Sequence, residues 1–269
     1  MARILSILVG LFFTLSLAYT FAVGAYTAAT EPEAPTAEHE FHLAPKHVSF
    51  ASDGPFGKFD RQQLQRGFQV YQQVCSACHS LRHVAFRDLE QLGYNDAEVK
   101  AIAAQFTVPK YDTATGEVAS NPGMATDYFP PVAYGGQGSP PDLSLIAKAR
   151  HGGGAYVYSL LTGYQDQPAE LLKHFPDSKT PDGLYYNPYF ANLNLAMPAP
   201  LVDDAVTYSD GTRATLDQEA KDVSAFLIWA SEPTMDKRKQ TGWPILGFLL
   251  FATILGYMSY RNIWANKKH

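Results

Sequence analysis

The chain has 269 residues, enough for one or two domains, and 46% of them are hydrophobic, ample for a core. Seven of its 21 basic residues flank apolar terminal runs (Arg3, Lys237, Arg238, Lys239, Arg261, Lys267 and Lys268). That leaves 14 basic against 26 acidic residues between them, a net charge of −12. Such a surface argues against nucleic acid, which selects basic faces, and suits a basic partner steered by charge.

The N-terminus, "MARILSILVGLFFTLSLAYTFAVGAYTAAT", runs from one positive residue through an apolar stretch to small residues. That is the order of a secretory signal, with cleavage expected within 25–29. The alternative is an uncleaved membrane helix, since Ile4 to Val23 is long enough to span. Either way, the chain beyond this segment is exported. The lack of an arginine-rich, amphipathic character favours a bacterial route over a mitochondrial one. Residues 30–50 are rich in Pro, Ala and Glu and read as an extended acidic arm.

Asp60 is positioned to cap a helix through "RQQLQRGFQVYQQV", with Leu64, Phe68, Tyr71 and Val74 as its apolar stripe. This helix delivers "CSACH". Cys75 and Cys78 are the only cysteines in the chain, and His79 comes directly after them. A disulfide or a redox-active pair would not require that histidine, and a zinc site lacks two further ligands. C-x-x-C-H is the attachment signature of c-type haem, with Cys75 and Cys78 as thioether donors and His79 as the proximal iron ligand. One signature implies one covalently attached haem c.

A second helix is expected over "NDAEVKAIAAQF", capped at Asn95. A third lies in "PPDLSLIAKARH", with Asp142 near its positive end. A short apolar helix in "GAYVYSLLTGY" stops at Gly163, and a long one starts at a Thr215/Gln218 capping box, "LDQEAKDVSAFLIWAS". Residues 107–141 and 164–214 show no sustained strand period and read as ordered loops wrapping a cofactor. Of the five methionines, Met124 and Met197 are the candidates for a sixth iron ligand. Prolines at 198 and 200 stiffen the backbone beside Met197, while Met124 lies in "NPGMATDYFP". Histidine is the competing ligand type, with His151 the nearest contender. Arg150 and Tyr156, where two helices meet, are candidates to partner the haem propionates. Trp243 to Tyr260 is an uncharged apolar run bounded by basic clusters and aromatics, a single transmembrane helix. Export of the preceding domain puts the tail, "RNIWANKKH", in the cytoplasm.

Several blocks in order, "RGFQVYQQVCSACHSL", "DYFP", "PPDLSLIAKARHGG", "YVYSLLTGY", "GLYYNPYF", "AMPAPL" and "DGTRATLDQEAKDVSAFLIWASEP", resemble the cytochrome c1 family. Members of that family are the haem subunit of the cytochrome bc1 complex (quinol–cytochrome c reductase). The resemblance runs from about residue 50 to the membrane helix. It implies a mainly α protein, a cytochrome c fold with long inserted loops and one C-terminal transmembrane helix. On that division, 51–236 is a periplasmic cytochrome domain and 237–269 an anchor in the bacterial inner membrane. The resemblance implies Met197 as the sixth ligand, Arg150 and Tyr156 on the propionate side, and Pro141 (with Pro140) against the haem on the His79 side. The implied role is electron transfer from a Rieske iron–sulfur protein to a soluble or tethered cytochrome c, beside cytochrome b and membrane lipid in a dimeric complex. No bond-making chemistry is implied for the chain alone. The rival readings are a tethered cytochrome of another electron-transfer chain and a gas-binding haem protein with an open iron. The sequence departs from the family between "DYFP" and "PPDL", where "PVAYGGQGS" replaces a longer stretch. The extra disulfide of some bacterial relatives has no cysteines here to form it.

Overall fold

The computed structural model describes residues 2–31, 34–111, 113, 116–136 and 138–267. The rest, including parts of the acidic arm and Gln137 of the shortened loop, lie outside the described residues. Two long helices bound the chain, α1 (Ala2–Thr30) and α9 (Met235–Trp264). Both are long and apolar enough to cross a membrane. Between them lie α2 (Ala37–Phe41), α3 (Arg61–Val70), α4 (Asp96–Ala103), α5 (Ile146–Ala149), α6 (Gly153–Leu161), α7 (Ala169–His174) and α8 (Leu216–Ser231).

The expected stripe on α3 is real, and it packs on α8. Leu64, Phe68 and Tyr71 are buried with Val223, Phe226 and Trp229. Phe68 and Phe226 sit 5.6 Å apart at their ring centroids, Tyr71 and Phe226 5.7 Å. Phe129 extends the cluster to Phe86 at 4.3 Å. The two helices meet at Gly67, where a Cβ would stand 2.0 Å from the Asp222 carbonyl oxygen. Only glycine admits that approach. Beside it the fully buried Asp222 carboxylate accepts from Arg66 Nε (2.8 Å), Gln63 Nε2 (3.2 Å) and Gln218 Nε2 (2.8 Å). A buried carboxylate is tolerable because several charged or polar donors meet it.

The helix expected through residue 74 changes form at Val70. Tyr71–Cys75 is a π turn, closed by the Ser76 amide on the Tyr71 carbonyl at 2.8 Å. The cap at Asp60 is as expected, accepting from the Gln62 amide at 3.0 Å, and Asn95 caps α4 in a reciprocal box with Glu98. The box at α8 is half formed. Thr215 Oγ1 accepts from the Gln218 amide at 3.2 Å, but the Gln218 side chain turns to Asp222.

Three other expectations are corrected. The helix in "PPDLSLIAKARH" is only the single turn of α5, because Asp142 is committed to the segment after His79 rather than to a helix start. The loop stretches hold two antiparallel ladders, β1 (Thr107–Tyr111) with β2 (Val118–Pro122), and β3 (Tyr185–Tyr186) with β4 (Asn194–Leu195). Their pattern is weak since β2 is exposed throughout and β1 only half-buries Val108 and Lys110. The arm is not simply extended. Ala37 of α2 is buried with Leu171, Tyr186 and Leu193, and Leu43 N–H donates to Pro188 O at 2.8 Å. Further along, Lys46 Nζ donates to Thr162 Oγ1 at 2.7 Å.

Glu232 at the end of α8 is gripped by Arg238 and by Lys148 Nζ (2.8 Å), joining α5, α8 and α9. The Arg238 hydrogen bond leads in lowering its pKa, against a smaller opposing effect of burial, and holds it at about 2.

This packing is testable at two residues. Gly67→Ala is expected to lower unfolding stability by about 2 kcal/mol or more, despite alanine's better helix propensity, read as the denaturant midpoint in detergent. Because the Glu232 pKa is lowered on folding, its stabilisation is present above the ordinary carboxylate pKa. It is lost as pH falls from there towards about 2. Glu232→Gln is expected to lower the denaturant midpoint near neutrality, and that deficit is expected to vanish across the same acid range.

Candidate haem site

Cys75 ends the π turn, and its carbonyl accepts both the Cys78 amide (3.1 Å) and the His79 amide (2.9 Å). The turn therefore holds two thiols and an imidazole on one tight loop. The cysteines are free, half-buried thiols rather than a disulfide.

His79 Nδ1 lies 2.8 Å from the Pro141 carbonyl oxygen. A carbonyl only accepts, so Nδ1 carries the proton and Nε2 keeps its lone pair. A ring fixed through one nitrogen with the other free is the arrangement of a metal-ligating histidine. The Tyr71 hydroxyl donates to the His79 carbonyl at 3.0 Å, tying the ligand loop to the α3–α8 core. Asp142, next to Pro141, accepts from Ser80 Oγ (2.8 Å), the Arg82 amide (2.8 Å) and the Ser144 amide (3.0 Å). Burial alone would raise this carboxyl, but hydrogen bonds from Arg82, Ser144 and Ser80 outweigh it and hold its pKa below the usual range. Asp142 is thus a positioning residue, clamping the Pro141 carbonyl against the histidine loop.

Arg150 and Tyr156 come together as a second group. Burial raises the Tyr156 phenol, while the charge and hydrogen bond of Arg150 pull the other way. Tyr156 lies close enough to Tyr164 to perturb it electrostatically, and the Tyr164 hydroxyl donates to the Met197 carbonyl at 3.1 Å. Met197 is half-buried, whereas Met124, the other ligand candidate, is 53% exposed beside the β1–β2 hairpin. His151 and His83 are both exposed. The strip 141–156 links the two groups. Pro141 and Asp142 meet the histidine loop at one end, and Tyr156 lies near Tyr164 at the other.

Sequence reasoning missed Tyr164 and Tyr71 as anchors and the clamp of Asp142. No spacing rule marks a tyrosine whose hydroxyl reaches a backbone carbonyl 33 residues away. The donor set fits a covalently held haem: two free thiols for thioether bonds and one orientation-fixed imidazole. Tyr164→Phe is expected to loosen the Met197 segment by about 1 kcal/mol. The check is amide hydrogen-exchange protection in the segment around Met197.

The Cytochrome C1 family model matches residues 50–267. The cytochrome c1 of Rhodospirillum rubrum is 42% identical over 233 residues, covering 80% of this chain and 86% of that protein. The mitochondrial cytochrome c1 haem protein of Saccharomyces cerevisiae is 41% identical over 251 residues, 90% of this chain and 77% of that one. The cytochrome b/c1 of Bradyrhizobium diazoefficiens is 41% identical over 241 residues, and the aligned part is 35% of that longer protein. With a family match over most of its length, the chain belongs to the cytochrome c1 family and is a c-type haem protein with one covalently bound haem.

Proposed function

We propose that the chain is the membrane-anchored haem subunit of a cytochrome bc1 complex. It takes an electron from a Rieske iron–sulfur protein and passes it to a soluble or tethered cytochrome c. The single observation that carries this is the His79–Pro141 lock on the C-x-x-C-H loop within a cytochrome c1 family chain. The names of relatives support the assembly, among them the Candida albicans "Cytochrome b-c1 complex catalytic subunit, mitochondrial".

In this reading Cys75 and Cys78 would carry the thioether bonds, and His79 Nε2 and Met197 Sδ would hold the iron. Arg150 and Tyr156 partner the propionates, and Pro141 packs on the His79 side. Haem so ligated supplies a reversible one-electron couple at raised potential. The chain's own residues fix that couple in place. Pro141 O holds the imidazole in one tautomer and orientation, Tyr71 and Asp142 hold the loop that carries it, and Tyr164 holds the opposite ligand segment. Ligand segments tied down in this way would limit the reorganisation accompanying electron transfer. No general base or nucleophile is called on.

Residues 51–236 form the haem domain on the periplasmic side. The segment 237–269 anchors it in the inner membrane with a cytoplasmic tail, and the net acidity of the exported part favours a basic acceptor. Neighbouring subunits are cytochrome b and the Rieske protein, in a dimeric assembly. The segment before residue 30 serves as a signal peptide.

Met197→Ala tests the ligand assignment. The expected outcome is a fall in reduction potential on the order of 100 mV or more, with new reactivity to carbon monoxide and loss of electron transfer to cytochrome c. Unchanged spectrum, potential and carbon monoxide reactivity would overturn Met197 as ligand.

A further inference from the structure

The loop before α3, "SDGPFGK", is fastened to the head of α9 at three successive levels. The Asp236 carboxylate accepts the Phe59 amide at 3.3 Å. Lys239 Nζ donates to the carbonyls of Ser52 (2.6 Å), Gly54 (2.7 Å) and Gly57 (3.2 Å). Further along the helix, the ring of Phe56 stacks on Trp243 with centroids 5.1 Å apart and planes 9° from parallel. The loop is shaped for this. Gly54 has φ +69°, and a Cβ on Gly57 would stand 2.0 Å from the Asp53 carbonyl oxygen. Its tip, Pro55–Phe56, is apolar, and Phe56 is 76% exposed.

Depth along α9 shows what faces that tip. The uncharged run from Trp243 to Tyr260 rises about 27 Å at 1.5 Å per residue, close to the thickness of a bilayer core of about 30 Å. Trp243 therefore marks one boundary, with Tyr260 and Trp264 at the other. Phe56, stacked on Trp243, lies at the same level. Backbone carbonyls are the usual obstacle to placing a loop there, since each unpaired one is costly away from water. Here one ammonium group satisfies three of them. The groove between loop and helix, about 550 Å³, continues this surface, with Pro55, Trp243, Ile245 and Leu246 as apolar walls and Arg238 at its rim.

We propose that Pro55–Phe56 is a second membrane-contact element. It is a wedge seated in the boundary between lipid headgroups and acyl chains beside Trp243, with lipid filling the groove. The haem domain then rests on the bilayer at two points, and α9 cannot act as a free swivel. The flanking Asp53 and Lys58 are exposed charges that limit the wedge to the boundary rather than the hydrocarbon centre.

The test is site-directed spin labelling of the assembled complex in lipid vesicles. Both cysteines of this chain are consumed by haem, so single labels at Phe56→Cys and Pro55→Cys are read after subtracting the signal of the wild-type complex treated with the same label. Leu250→Cys in α9 serves as the lipid reference and Lys58→Cys as the water reference. An unaltered haem spectrum reports an intact fold. At residues 55 and 56 the ratio of oxygen to water-soluble nickel chelate collisions is expected to be several-fold above that at 58 and below that at 250. A ratio equal to that at residue 58 would overturn the proposal. So would protection from both reagents, which would show a protein neighbour instead of lipid. The Met197 assignment is read by potential and spectrum, so either conclusion can fail without the other.

Discussion

The approach of α3 to α8 at Gly67 is the constraint from which the rest hangs. Two helical backbones come close enough there that no side chain fits between them. Their aromatic faces close around Phe68, Tyr71, Phe226 and Trp229 as a result. The C-terminal end of α3 is thereby fixed in space, and the haem loop leaves from that end. The downstream end of α8 leads into α9, so the same contact sets where the haem loop stands relative to the membrane helix. The buried Asp222, with its three donors, adds specificity of register to this crossing rather than large net stability.

The haem loop itself depends on an interruption of regular structure. The π turn at Tyr71–Cys75 shifts the helix register by one residue just before the attachment motif. π turns are uncommon and concentrate at functional sites, and this one lets Tyr71 remain in the core while its hydroxyl reaches forward to His79. An unbroken α-helix would have carried the 3.6-residue stripe on past Val74. The strip from Pro141 to Tyr156 runs from the histidine loop, which its first residues brace, to the neighbourhood of Tyr164.

The α3 stripe, the caps at Asp60 and Asn95, and the two long apolar helices were all legible in the sequence, where the C-x-x-C-H spacing also marks the candidate haem loop. Each rests on a local rule, a fixed spacing or a periodicity. What was not legible depends on where a flexible group is used. Asp142 has the look of a helix-start residue, but its carboxylate is spent on Ser80, Arg82 and Ser144, and the helix shrinks to one turn. Gln218 has the look of half a capping box, yet a buried carboxylate four residues on competes for its side chain. The β1–β2 ladder escaped notice because β2 is exposed throughout and the half-buried face of β1 holds one valine and one lysine, which leaves no apolar alternation. The arm held by Ala37 and Lys46 escaped because composition reports what a segment lacks, not which groove a single alanine fills.

The acceptor that orients His79 is a main-chain carbonyl. Every amino acid that could replace Pro141 brings the same oxygen, so the proton on Nδ1 and the lone pair on Nε2 are insulated from point mutation in a way a carboxylate partner would not be. What the proline ring contributes is stiffness, and substitution there alters how narrowly the carbonyl is aimed, not whether it exists. The most exacting requirement of the site has been assigned to the one part of the chain that heredity cannot edit residue by residue.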